Sequence, residues 1–239
     1  MIGFGTILNT AAIIAGGLGG HFFGKRLSER YQYSLTMTCG ISVLFIGIAG
    51  AMEGMLSVEN GRISSGRAMF VTICLALGTL VGEIINIEDA FERFGEWLKV
   101  KTGNSGDGNF VDGFVTASLT VCIGAMAIVG SIEDGIYGDW SILGIKSLLD
   151  MIIIMVMTCS LGKGCVFSAI PIFVLEGGMT LLAVQLKGIM TDAAMANLSV
   201  IGSILIFCVG LNLVWGKKVR VANMLPALIF AMAAALLFS

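Results

Sequence analysis

Apolar runs about as long as a bilayer is thick recur along the whole chain, and no other feature limits its fold so strongly. A helix needs about 20 largely apolar residues to cross the hydrocarbon core. On that basis the 239 residues hold about eight such segments, near 2–24, 34–56, 67–87, 113–133, 140–160, 165–186, 196–215 and 221–238. Backbone polar groups find no water in lipid, so runs of this length must form helices. Only 13% of the residues are charged and the mean hydropathy is +0.95, against about 25% charged in a soluble domain. The sequence therefore predicts an all-α, polytopic integral membrane protein, a single membrane domain over 1–239. The eighth segment is short, and the sixth carries Pro171 and Gly177-Gly178. Seven crossings with a re-entrant piece is thus the alternative to eight.

The longest polar stretch, 87–112, separates two unequal halves. Glu88, Asp89, Glu92, Arg93, Glu96 and Lys99 space as a short amphipathic helix, followed by the Gly-rich linker Gly103 to Gly108. With eight crossings, one side receives Lys25, Arg26, Arg30, Arg93, Lys99, Lys101, Lys163, Lys217, Lys218 and Arg220, while the other keeps Arg62, Arg67 and Lys187. Cytoplasmic loops accumulate Lys and Arg. The richer side is therefore expected to be cytoplasmic, with both termini outside. Met1-Ile2-Gly3-Phe4 has no positive n-region, so the first segment is read as retained and not as a cleaved signal.

Several function classes are excluded on composition. A net charge of −2 offers no basic surface for nucleic acid. Cys39, Cys74, Cys122, Cys159, Cys165 and Cys208 fall mostly in apolar segments without close Cys-x-x-Cys spacing, and His21 is the only histidine. The cysteines read as small packing residues, and no metal or other cofactor is expected. Ser160-Leu161-Gly162-Lys163-Gly164 lacks Walker spacing, and no Ser or Cys nucleophile has a histidine placed beside it. The sequence predicts no catalysis.

Weak self-similarity links the halves. Ile48-Ala49-Gly50-Ala51-Met52-Glu53 resembles Ile128-Val129-Gly130-Ser131-Ile132-Glu133, and Phe4-Gly5-Thr6-Ile7 resembles Phe167-Ser168-Ala169-Ile170. If segments 1–3 and 6–8 are repeats, the five-segment offset inverts one triplet against the other, a common transporter plan.

Ionisable residues at membrane depth cost roughly 2.5–3.5 kcal/mol each on insertion scales, so they mark partners or a transport path. Lys146 and Asp150 are four apart on one helical face and can pair, with Asp134 just upstream. Asp150 reads as functional; Lys146 reads as its counter-ion or half of a static pair. Asp134 reads as part of the site or as a cap in an exposed turn. Glu176 follows Pro171 and precedes Gly177-Gly178, where an unwound helix would offer backbone groups to a cation; the alternative is a kink with close packing. Asn9 could hydrogen-bond a solute, although Gly16 and Gly20, further along its segment, have small-xxx-small spacing that speaks for packing; Asn212 is similar. Glu83 has apolar neighbours like a gating acid, or reaches the interface.

Leu8-Asn9-Thr10-Ala11-Ala12-Ile13-Ile14-Ala15-Gly16-Gly17, Cys122 through Gly135, and Lys146-Ser147-Leu148-Leu149-Asp150 together resemble the YqgA/YdfK-like family of bacterial inner-membrane proteins, domain of unknown function 554. Ser168-Ala169-Ile170-Pro171 with Glu176-Gly177 is similar to a later motif of that family, in which Gln often replaces the glutamate. The resemblance implies a bacterial plasma membrane and supplies no substrate. From the residues themselves the expectation is a small secondary transporter for a cation or small polar solute, coupled to protons or sodium. Asp150, Lys146, Asp134, Glu176, Asn9 and Glu83 are the candidate binding residues, membrane lipid is the surroundings, and a homodimer is the default assembly. A channel and a non-transporting scaffold or assembly factor stay open beside it.

Overall fold

The computed structural model describes residues 2–24, 26–59, 62–123, 125–186 and 191–237. Met1, Lys25, Gly124 and Lys187, which carry parts of the expectations above, lie outside them. The apolar runs are helices, as the backbone's need for internal partners requires. In chain order they are α1 (Phe4–Gly24), α2 (Glu29–Met55), α3 (Ala68–Ile85), α4 (Ile87–Lys101), α5 (Phe110–Cys122), α6 (Ala125–Tyr137), α7 (Ser141–Leu161), α8 (Ala169–Leu181), α9 (Ala183–Leu186), α10 (Asp192–Trp215), α11 (Val221–Met224) and α12 (Pro226–Leu237). A 3-10 turn, Lys163–Ser168, leads into α8.

Among the described residues six helical stretches are long and apolar enough to cross a membrane, and a seventh arises if the bent pair α5 and α6 forms one span. The eighth predicted segment appears as the shorter apolar stretch Val221–Ala235. The interruption falls in segment 4 and not in segment 6, where it was expected. Segment 4 is bent by 59° between α5 and α6, whereas α8 runs unbroken through Pro171 and Gly177-Gly178. Pro171 lies in the first turn of α8, where a missing N–H costs least. A Cβ on Gly178 would meet nothing within 4 Å, so that glycine serves neither an unwinding nor a tight packing contact.

Two helix pairs pack most closely, and glycine makes both contacts. Along α1, Gly5, Gly16, Gly20 and Gly24 face Leu143, Met151, Met155 and Cys159 of α7 in the same order, so the two helices run parallel. A Cβ on Gly16 or Gly20 would collide with the carbonyl of Met151 or Met155, the close backbone approach that small residues permit between membrane helices. Along α2, Gly40, Gly47, Gly50 and Gly54 meet Val214, Phe207, Ser203 and Val200, making α2 and α10 antiparallel. Gly78 and Gly82 of α3 meet Ala227 and Asn223, an antiparallel run against α12 and α11. Between these pairs sit fully buried side chains, among them Ile13, Phe110, Phe114, Ile154, Met157, Ile172 and Leu205.

At one end of the bundle the amphipathic stretch expected at 87–112 forms α4, entered through the left-handed Asn86. There Arg220 reaches Glu83, Asn86 and Asp89, and Lys217 reaches Glu88 and Glu92. Asn212 turns out to stitch the loop after α10: it donates to the Val219 carbonyl at 2.7 Å and accepts from the Lys218 and Val219 amides. The two strands β1 (Leu56–Glu59) and β2 (Arg62–Ser65), between segments 2 and 3, pair antiparallel with Leu56 opposite Ser65.

Candidate functional site

Four helices converge on one buried polar cluster. α7 brings Lys146 and Asp150, which form the expected ion pair. From α1, Asn9 donates both amide hydrogens: to Asp150 Oδ2 at 3.0 Å and to Glu176 Oε1 of α8 at 2.8 Å. Lys146 Nζ lies 3.9 Å from the same Glu176 oxygen and donates to the Val121 carbonyl of α5 at 2.9 Å. Val121 stands in the last turn of α5, where carbonyls have no helical partner. The bend after α5 therefore supplies a backbone acceptor at the cluster, as discontinuous membrane helices do.

A second layer lies one turn toward the opposite end. Asp134 is fully buried inside α6 and accepts from the Gly5 amide at 3.0 Å, at the start of α1. The expectation of an exposed turn there is corrected. α6 continues to Tyr137, and the free amides of the α1 N-terminus favour a carboxylate. Thr6 and Thr180 face each other with hydroxyl oxygens 3.4 Å apart. Neither was singled out in the sequence, although Thr6 precedes Asn9 by three residues and shares its face.

Glu83 is not part of this assembly. Its side chain is 42% exposed and meets Arg220 at 2.9 Å at the α4 end. Apolar neighbours in sequence made it look like a buried acid, but as the third residue from the C-terminal end of α3 it reaches water and a basic partner.

The cluster has more acceptors than donors. Asp134, Asp150 and Glu176 stand against the single ammonium of Lys146, and all four residues are at most 6% exposed. Asn9 Oδ1, Glu176 Oε2 and Asp134 Oδ1 are buried with no hydrogen-bond partner among the described residues. A buried carboxylate without a counter-charge is costly. A proton or a small cation would relieve that cost. Among the described residues no three His, Cys, Asp or Glu side chains are grouped to hold a metal ion.

Apolar helices of spanning length around a buried charged cluster define a polytopic helical membrane protein. The chain belongs to the family described as "Protein of unknown function (DUF554)", which matches residues 4–236. It is 31% identical over 226 residues to "Uncharacterized membrane protein YdfK" of Bacillus subtilis (strain 168), covering 95% of this chain and 93% of that protein. It is 29% identical over 232 residues to "Uncharacterized protein YqgA" of Escherichia coli (strain K12), covering 95% and 94%. No solved structure matches.

Proposed function

We propose that this protein is a secondary transporter for a cation or small polar solute, coupled to protons or sodium. Asp150 is the principal coupling carboxylate, Lys146 its internal counter-ion, and Glu176, Asn9 and Asp134 line the site. The carrying observation is the set of unpartnered acceptor oxygens in a buried cluster beside a bent helix. An open channel finds less support, because a conducting path must be wet and these residues are closed off from solvent.

The contacts also favour an inverted repeat. Segment 1 runs antiparallel to segment 6, with Asn9 on Glu176 and Thr6 on Thr180; segment 2 is antiparallel to segment 7, and segment 3 to segment 8. That is the pairing expected about a two-fold axis in the membrane plane, and rocking of one triplet against the other would give alternating access. The rest of the proposal is a bacterial inner-membrane location, both termini outside, no catalysis and a homodimer. The glycine faces of α1, α2 and α3 are already occupied within the chain, so a dimer would use another surface.

The test is thermal unfolding of the detergent-purified protein across cations, amines, amino acids and organic anions, beside Asp150→Asn. A solute present at about 100 times its dissociation constant adds roughly 2.7 kcal/mol. A shift in the wild type that vanishes in the variant supports the proposal. Absence of any shift favours a scaffold or assembly role.

A further inference from the structure

A cavity of about 240 Å³ lies among α2, α4, α5, α7 and α10 at the α4 end, with Glu88, Asp112, Thr116, Leu119, Asn212 and Lys217 in its wall. The α5 residues in that wall, Asp112, Val115, Thr116 and Leu119, recur at helical spacing and form one stripe. The next residue on the stripe is Cys122, the last of α5. Cys122 is half-buried and lies near enough to Lys146, Glu176 and Asp150 for their charges to act on it. The adjacent Val121 carbonyl holds Lys146 itself. Less than one helical turn of α5 therefore separates the cavity floor from the charged cluster, and the buried Leu119 marks that floor.

The opposite side of the cluster is closed in another way. There Asp134 is bonded to the start of α1, and Thr6 abuts Thr180, so that side is closed by a layer of polar contacts, whereas the side chain next to the cluster on the α5 stripe is the apolar Leu119.

We propose that this cavity is the vestibule through which solute reaches the Asn9, Lys146, Asp150 and Glu176 cluster, and that the Leu119 side chain is the plug that closes its floor. The inference rests on the transporter reading and adds to it the route and the gate. The vestibule suits a small cation. Asp112 leaves its wall negative, since Lys217 is engaged by Glu88 and Glu92, and Thr116 adds a hydroxyl.

Cys122 is a native reporter of passage beyond Leu119. The full-length protein in proteoliposomes is treated with N-ethylmaleimide, and modification of each cysteine is followed by mass spectrometry of its peptide. Leu119→Ala is expected to raise the Cys122 rate about tenfold, because thiol reaction depends on access, while Cys208 on α10 stays unchanged. Thr116→Trp, which fills the cavity, is expected to bring Cys122 below the wild-type rate. If all six cysteines speed up together in Leu119→Ala, that variant has loosened the fold and Thr116→Trp decides. Equal Cys122 rates in the wild type and Thr116→Trp overturn the vestibule. If Cys122 responds as expected yet no solute stabilises the protein, the route stands and the transporter reading falls.

Discussion

Asn9 meets Glu176 at 2.8 Å across the antiparallel crossing of α1 and α8, and its second amide hydrogen reaches Asp150 on α7 at 3.0 Å. One neutral side chain thus ties together two acids from two other helices. Hydrogen bonds to charged groups contribute about 1.5–3 kcal/mol each, so Asn9→Ala should destabilise the protein by roughly that amount or more. Asn9→Asp should cost more still, because it removes both donors and adds a negative charge. Urea or thermal unfolding in detergent would compare the two, and equal losses would argue against an excess of acceptors at this site.

Lys146 and Asp150 pair within one helix, buried from solvent. Removing one partner of such a pair typically costs about 3–5 kcal/mol, since it strands the other charge. Lys146→Met and Asp150→Asn should each destabilise more than the double variant does. A double-mutant cycle by thermal unfolding measures this directly; additive losses would show that the pairing contributes nothing.

Glu83 and Glu176 are both glutamates in apolar sequence, but they should behave oppositely. Glu83 shares an exposed contact with Arg220, so Glu83→Gln should change stability by under about 1 kcal/mol and leave any solute-induced stabilisation intact. Glu176→Gln should abolish that stabilisation. Loss of the solute response in Glu83→Gln would return Glu83 to the site.

Gly20 lets the α1 backbone touch the Met155 carbonyl of α7. Gly20→Leu should push the helices apart and cost at least the ~1–3 kcal/mol usual for overpacking. Gly106, in the polar linker, has open space around it; Gly106→Leu should leave the thermal midpoint almost unchanged.

Lys217 lies beyond the end of α10 and bridges Glu88 and Glu92. Burial works against its charge, but the hydrogen bonds and charges of Glu92 and Glu88 together outweigh that, and its ammonium is held above the ordinary lysine range. A raised pKa contributes stability that is fully present below the unfolded value of about 10.4 and is lost as pH rises through the folded value. The difference in melting temperature between wild type and Lys217→Met should therefore be flat across neutral pH and narrow only under strongly alkaline conditions. Narrowing already near neutrality would contradict the bridge.

Much of the site could be read from residue type, because membrane burial makes every polar side chain expensive. Lys146, Asp150, Glu176 and Asn9 stand out in their runs for that reason, and the i, i+4 spacing of the first two was enough to pair them. Glu83 stood out equally and went elsewhere, since sequence reports apolar neighbours but not where the helix ends meet. The pairing of β1 with β2 has a local signal, Asn60-Gly61 in the sequence between two short alternating stretches, but one far weaker than the long apolar runs on either side. The bend between α5 and α6 carried only a faint signal: a single glycine, Gly124, stands in the sequence between the two helices and no proline does, while Pro171, which looked like a breaker, lies harmlessly in the first turn of α8. The part played by the Val121 carbonyl could not be seen at all, because every residue has a carbonyl and only packing decides which one a lysine reaches.

The sequence by itself determined the solvent this chain lives in, the helical state of its long segments and the identity of most of its costly polar residues, because each follows from local composition set against the thickness and dryness of a bilayer. Tertiary structure alone decided which of those residues meet. α1 had to run parallel to α7 and antiparallel to α8 for one asparagine to touch two acids more than 140 positions away. That geometry comes from backbones drawn together at glycine contacts, an interaction between distant helices that no local window of sequence contains.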